Sequence, residues 1–129
     1  MKREYLEKMS DDELEGYAKQ LGFSVKAGKT TAEKLQIIEG KREREAILSV
    51  IGVALHIPLK RVHDRRFRDL ISKPGRTDED VESAFRLALG EDQFRALNEA
   101  ATDDDGTVDE QALTFAYNSI LASEELKNF

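Results

Sequence analysis

The sequence predicts an all-α protein: a small N-terminal helix–extended loop–helix unit over residues 1–40, followed by a compact multi-helix bundle over residues 41–129. Three observations carry that expectation. Apolar residues recur at spacings of three and four along most of the chain, and alternation of period two never lasts more than a few residues. Ser/Thr-x-x-Glu capping boxes stand ahead of several apolar windows. Turn signals fall between the helical windows.

The elements follow in order. Ser10 with Glu13 forms a capping box, and Leu14, Tyr17, Ala18 and Leu21 make one helical face that Gly22 closes. Phe23 to Lys29 has no helical period and reads as an extended loop. Thr30 with Glu33 opens a second helix with Leu35, Ile38 and Ala32 inward. A further helix is expected from about 42 to 56, its continuity through Gly40 left open, because Gly costs about 1 kcal/mol in a helix interior. Pro58 suits a first helical turn, and Leu59, Val62, Phe67, Leu70 and Ile71 can line one side of a helix ending before Lys73. Thr77 caps a helix with Val81, Ala84, Phe85, Ala88 and Leu89 inward, closed by Gly90. The next helix, from Glu91 to about Ala101, buries Phe94, Leu97 and Ala101. Thr107 with Glu110 is a third box, ahead of Leu113, Ala116, Tyr117, Ile120 and Leu121, and residues 123–129 read as a fraying tail or a short extra turn.

Composition narrows the function. The 129 residues include no Cys, which excludes disulfides, thiolate metal sites and a Cys nucleophile. Residues 1–9 lack an apolar h-region, so no secretory leader is expected, and the composition fits a cytoplasmic protein. The most apolar run, residues 46–57, is too short to span a bilayer, so no membrane role is expected. The formal net charge of −6 is uneven: residues 1–65 carry +2 and residues 66–129 carry −8. An acidic second half repels nucleic-acid phosphate, which confines any nucleic-acid role to the first half.

No motif points to catalysis. Gly28-Lys29-Thr30 resembles the end of a phosphate-binding loop, but the earlier glycine is out of place and no strand precedes it. Asp103, Asp105 and Asp109 fall at calcium-loop spacing around Gly106, yet Ala101 and Ala112 stand where two carboxylate ligands belong, so an Asp-rich turn is expected. His56 and His63 are separated by Pro58 and have no carboxylate at metal-site spacing. No enzyme, metal or cofactor is therefore expected. The strongest charge feature is residues 60–68, where Lys60, Arg61, Arg65, Arg66 and Arg68 oppose one Asp. On a helix they form a cationic face that can hold phosphates or an acidic partner segment, or pair with the chain's own acidic half.

Two resemblances add to this reading. Residues 10–40, through Leu14, Ala18, Leu21-Gly22, Val25, Gly28-Lys29-Thr30, Glu33-Lys34-Leu35 and Ile38, resemble the helix–extended loop–helix modules related to SAP and LEM domains. Relatives often bind DNA, and the resemblance then implies Lys26, Lys29 and Lys34 as phosphate contacts. Residues 54–129 resemble the tail assembly chaperones of long-tailed phages. The matching segments are Arg66-Phe67-Arg68-Asp69-Leu70, Thr77-Asp78-Glu79-Asp80, Leu89-Gly90-Glu91-Asp92-Gln93-Phe94, residues 102–109 and Leu126-Lys127-Asn128. That resemblance implies a small, acidic, helical, non-enzymatic protein that holds a helical partner such as a tape-measure protein. The N-terminal strands of many relatives are not evident, and a helical module stands in their place. Phe67, Phe85, Phe94, Phe115 and Tyr117 are the apolar candidates for partner contact, with core packing as the other reading for most of them. The alternative function is a small DNA-associated accessory protein using the first module.

Overall fold

The computed structural model describes residues 1–123 and Leu126; the expectation for the tail beyond Ser123, and most of the Leu126-Lys127-Asn128 segment, lies outside the described residues. The chain divides into two compact units, the first Met1–Arg44 and the second beginning at Glu45. It is mostly helical, but a two-stranded antiparallel sheet makes it not strictly all-α. Among the described residues no helix is long and apolar enough to cross a membrane.

The first unit contains α1 (Arg3–Leu6), α2 (Asp11–Leu21) and α3 (Thr31–Arg42). The Ser10 box is complete: the Ser10 hydroxyl accepts from Glu13 N–H, and the Glu13 carboxylate accepts from Ser10 N–H. Leu6, Leu14, Ala18, Val25 and Ile38 form the core, with Tyr17, Leu21, Phe23 and Leu35 packed around it. The short α1 was not expected; it brings Leu6, only 1% exposed, into this core. Ala32, expected inward, is exposed, and Lys34 takes a buried position of α3 instead.

The expected helix over 42–56 is a β-hairpin. Strands β1 (Glu45–Val50) and β2 (Val53–Pro58) pair antiparallel, with Ala46 opposite Ile57, Leu48 opposite Leu55 and Val50 opposite Val53 on the covered face. The connection is the two-residue turn Ile51-Gly52, with φ of 44° and 80° at the two positions. Positive φ at both is the signature of a type I′ turn, whose twist matches that of the strands. A two-stranded hairpin is marginal alone. Here β2 packs on α6 (Asp78–Leu89) and α7 (Glu91–Ala100), and β1 on α8 (Glu110–Leu121). Gln93 of α7 seals the free edge of β2: its Oε1 accepts from His56 N–H at 2.7 Å, and its Nε2 donates to His56 O at 2.8 Å. An otherwise unpaired strand edge is thereby blocked. A side chain at Gly52 would be held in the left-handed region at a cost of about 1–2 kcal/mol. Gly52→Val is expected to lower the urea midpoint of the second unit accordingly, and an unchanged midpoint would contradict the turn assignment.

After the hairpin, the single helix expected up to Ser72 is two: α4 (Leu59–Val62) and α5 (Arg65–Ser72). The break falls at His63-Asp64, where Asp64 caps α5 by accepting from Arg66 N–H at 2.8 Å. In the loop before α8, Thr107 does not cap the helix. Its carbonyl accepts from Asp103 N–H, and Asp109 is the cap, accepting from Gln111 and Ala112 N–H.

Candidate partner-binding surfaces

In the first unit the three lysines expected at phosphate contacts separate. Lys26 and Lys29 are exposed. Lys34 is not: its side chain is 11% exposed, and its Nζ lies 3.1 Å from Asp11 and 3.2 Å from Glu15 on α2. The lysine that the resemblance assigns to phosphate instead ties α3 to the acidic α2. The backbone N–H of Lys29, where a phosphate loop would bind its anion, donates to Glu33 Oε2 at 2.7 Å. The helix N-terminus is thus already served by a carboxylate of the same chain.

This pairing is titratable. The Thr31 hydroxyl and then the Lys34 ammonium hold the Asp11 carboxyl below its ordinary value of 3.8, while Asp11 and then Glu15 hold Lys34 above 10.5. A depressed acid contributes stability that is full above its ordinary value and is lost as pH falls through the lower folded value. A raised lysine contributes stability that is full below its ordinary value and is lost as pH rises through the higher folded one. The pair therefore supports the first unit from about pH 4 to about pH 10. Asp11→Asn is expected to destabilise this unit at neutral pH and to shrink its loss of stability below pH 4. An acid limb identical to that of the parent chain would rule this out.

In the second unit the basic stretch is divided between α4, α5 and the turn joining them. Lys60, Arg61, Arg65, Arg66 and Arg68 are all exposed. Arg66 pairs with Asp64 at 2.8 Å; among the described residues the other four make no ion pair. Among the described residues none of the five pairs with a carboxylate of the acidic half outside the stretch; the one ion pair, Arg66 with Asp64, lies within the stretch itself. His56 and His63 do not share a helix. His56 sits on the open face of β2, 3.4 Å from Glu45, and His63 follows α4, its pKa lowered by burial and by Arg68.

Four of the five aromatic candidates belong to the core. Phe85 is fully buried, stacks on Tyr117 at 4.4 Å between centroids, and receives Phe67 edge-on at 6.0 Å. Phe94 is 7% exposed beneath Arg86, whose guanidinium lies 4.6 Å from the ring centroid. Phe115 is different: it projects from α8 at 64% exposure, and Ile47 on the open face of β1 has the same exposure. Leu113, Ala116, Tyr117 and Ile120 occupy the buried stripe of α8, which leaves Phe115 on the other side.

The second unit also has a groove that sequence reasoning missed. It lies between α6, α8 and the end of α5, with a volume of about 190 Å³, and its lining includes Ile71, Val81, Tyr117, Leu121, Asp78, Glu82 and Glu110. Its residues come from three separate elements, so no local motif announces it. The nearest sequence signal is the −8 charge of the second half.

No family model, curated protein or solved structure matches the chain.

Proposed function

We propose that the protein is a non-enzymatic, phage- or prophage-type tail assembly chaperone-like protein, acting in the host cytoplasm, that holds a helical partner such as a tape-measure protein. The observation that carries this reading is Phe115. A large aromatic side chain 64% exposed on a well-packed helix contributes little to the fold, and aromatic anchors are common at protein interfaces. Ile47 adds a second exposed apolar side chain in the same unit, and Lys60, Arg61, Arg65 and Arg68 add unpaired positive charge. Charged surroundings let such side chains meet a partner without driving self-aggregation.

The DNA-associated alternative is weakened by Lys34, which is committed to Asp11 and Glu15. Two assays separate the readings. A holding protein raises the soluble fraction of a coexpressed long helical partner and shows no duplex binding. A DNA-associated protein binds duplex with an affinity that falls steeply as salt rises. Duplex binding without partner capture would overturn the proposal, as would the absence of both.

A further inference from the structure

We infer that the groove between α6 and α8 is the docking site for a cationic amphipathic helical segment of a partner protein. This deepens the partner-holding reading and rests on it. The groove joins two kinds of surface. Ile71, Val81 and Leu121 are half-buried, and Tyr117 is buried with its ring against Phe85, which gives an apolar lining. Asp78, Glu82 and Glu110 bring three carboxylates to the same groove, and among the described residues none of them is ion-paired.

Asp78 and Glu110 are the first residues of their helices, where the macrodipole favours negative charge. Glu82 lies beyond the first turn of α6, so that effect does not account for it. The one cation in the lining, Arg76, is tied back, its Nη1 donating to Ile71 O at 2.6 Å. Burial first, then Glu82 and Glu110, push the Tyr117 phenol up to about 12, against the Asn98 side chain and then Arg86, which lower it.

Size selects the occupant. A volume of about 190 Å³ is below the roughly 300–1,000 Å³ of small-molecule pockets, but it admits one or two anchoring side chains of a helix laid across it, as in helix-in-groove recognition. Unpaired carboxylates beside an apolar lining match a helix with Leu-type anchors flanked by Lys or Arg. The cationic surface of α4 and α5 repels the same segment, which makes the groove the complementary place for it.

The test uses the full chain and two synthetic amphipathic helices of about 18 residues, or five turns. One is built of Leu and Lys, the other of Leu and Glu with the same apolar face. The Leu/Lys helix is expected to bind saturably, more weakly as salt rises, with backbone NMR shifts at Val81, Glu82, Thr114 and Leu121. The Leu/Glu helix is expected not to bind. Combining Glu82→Lys with Glu110→Lys should weaken binding at least tenfold with the circular dichroism unchanged. If that variant fails to fold, Glu82→Gln with Glu110→Gln should still weaken binding about threefold or more. Equal binding of both helices, no binding, shifts confined to other surfaces, or insensitivity to the carboxylate changes would overturn the inference. A coexpressed partner captured equally well by the charge-reversed chain would overturn the groove and leave the holding function standing. Leu/Lys binding that depends on the carboxylates, without partner capture, would leave the groove standing and overturn the holding function.

Discussion

Phe85→Ala is expected to destabilise the second unit by about 3–5 kcal/mol, the range for removing a fully buried phenylalanine. Phe85 has no exposed surface and contacts two other aromatic rings, Tyr117 face to face and Phe67 edge to face. Its loss leaves a cavity between α5, α6 and α8 that none of these helices can close without disturbing the others. The Tyr117 ring also loses its stacking partner, which adds to the area term. Urea denaturation followed by tyrosine fluorescence reads the effect as a large fall in midpoint. Phe85→Leu keeps most of the volume and should cost much less. Similar midpoints for the two variants would contradict the packing described for this unit.

Gly28→Ala is expected to have the largest effect in the first unit. A Cβ at this position would stand 2.8 Å from Lys34 N and 3.0 Å from Glu33 C, both backbone atoms, and 3.1 Å from Lys34 Cγ. Flexible side chains can move aside, but the backbone at the start of α3 cannot do so without disturbing the Thr30 cap and the ion pairs of Lys34. Overpacking commonly costs about 1–3 kcal/mol, and a unit this small has little stability in reserve. Hydrogen exchange on the full chain should show α2 and α3 losing most of their amide protection. Protection retained at the parent level would mean that the loop yields where the geometry has it fixed.

The helical parts of the fold were readable because their signals are local. Ser10 with Glu13 and Thr77 with Asp80 are capping boxes that need no tertiary information, and the faces of α6, α7 and α8 repeat at helical spacing. The hairpin was not readable in the same way. On its open face Ile47 and Ala54 are apolar, which hides the alternation and leaves a short apolar run that periodicity cannot assign. The β-branched residues Ile47, Val50, Ile51, Val53 and Ile57 were the available signal for strands. The turn concealed it further, because Ile51 occupies a position where Asn or Gly is usual. Asp109 displaced Thr107 as the cap of α8 because the bridge between Thr102 and Val108 draws Thr107 into the preceding turn.

The surfaces were legible only as inventories. Residue type nominated five aromatic side chains, but only packing separates Phe115 from the four in the core. The resemblance to SAP and LEM modules implied Lys34 as a phosphate contact, but the two carboxylates that engage it lie on another helix, about twenty residues away in the chain. The groove joins Ile71, Val81 and Leu121 from three elements, a juxtaposition that only the tertiary fold creates.

The most direct test of partner holding is Phe115→Ser, compared with the parent chain for the soluble yield of a coexpressed helical partner. Phe115 is exposed, so the substitution is expected to change folding stability by no more than about 0.5 kcal/mol. Parent-like stability together with a clear loss of captured partner is the expected result. Undiminished capture by the Phe115→Ser chain would contradict it.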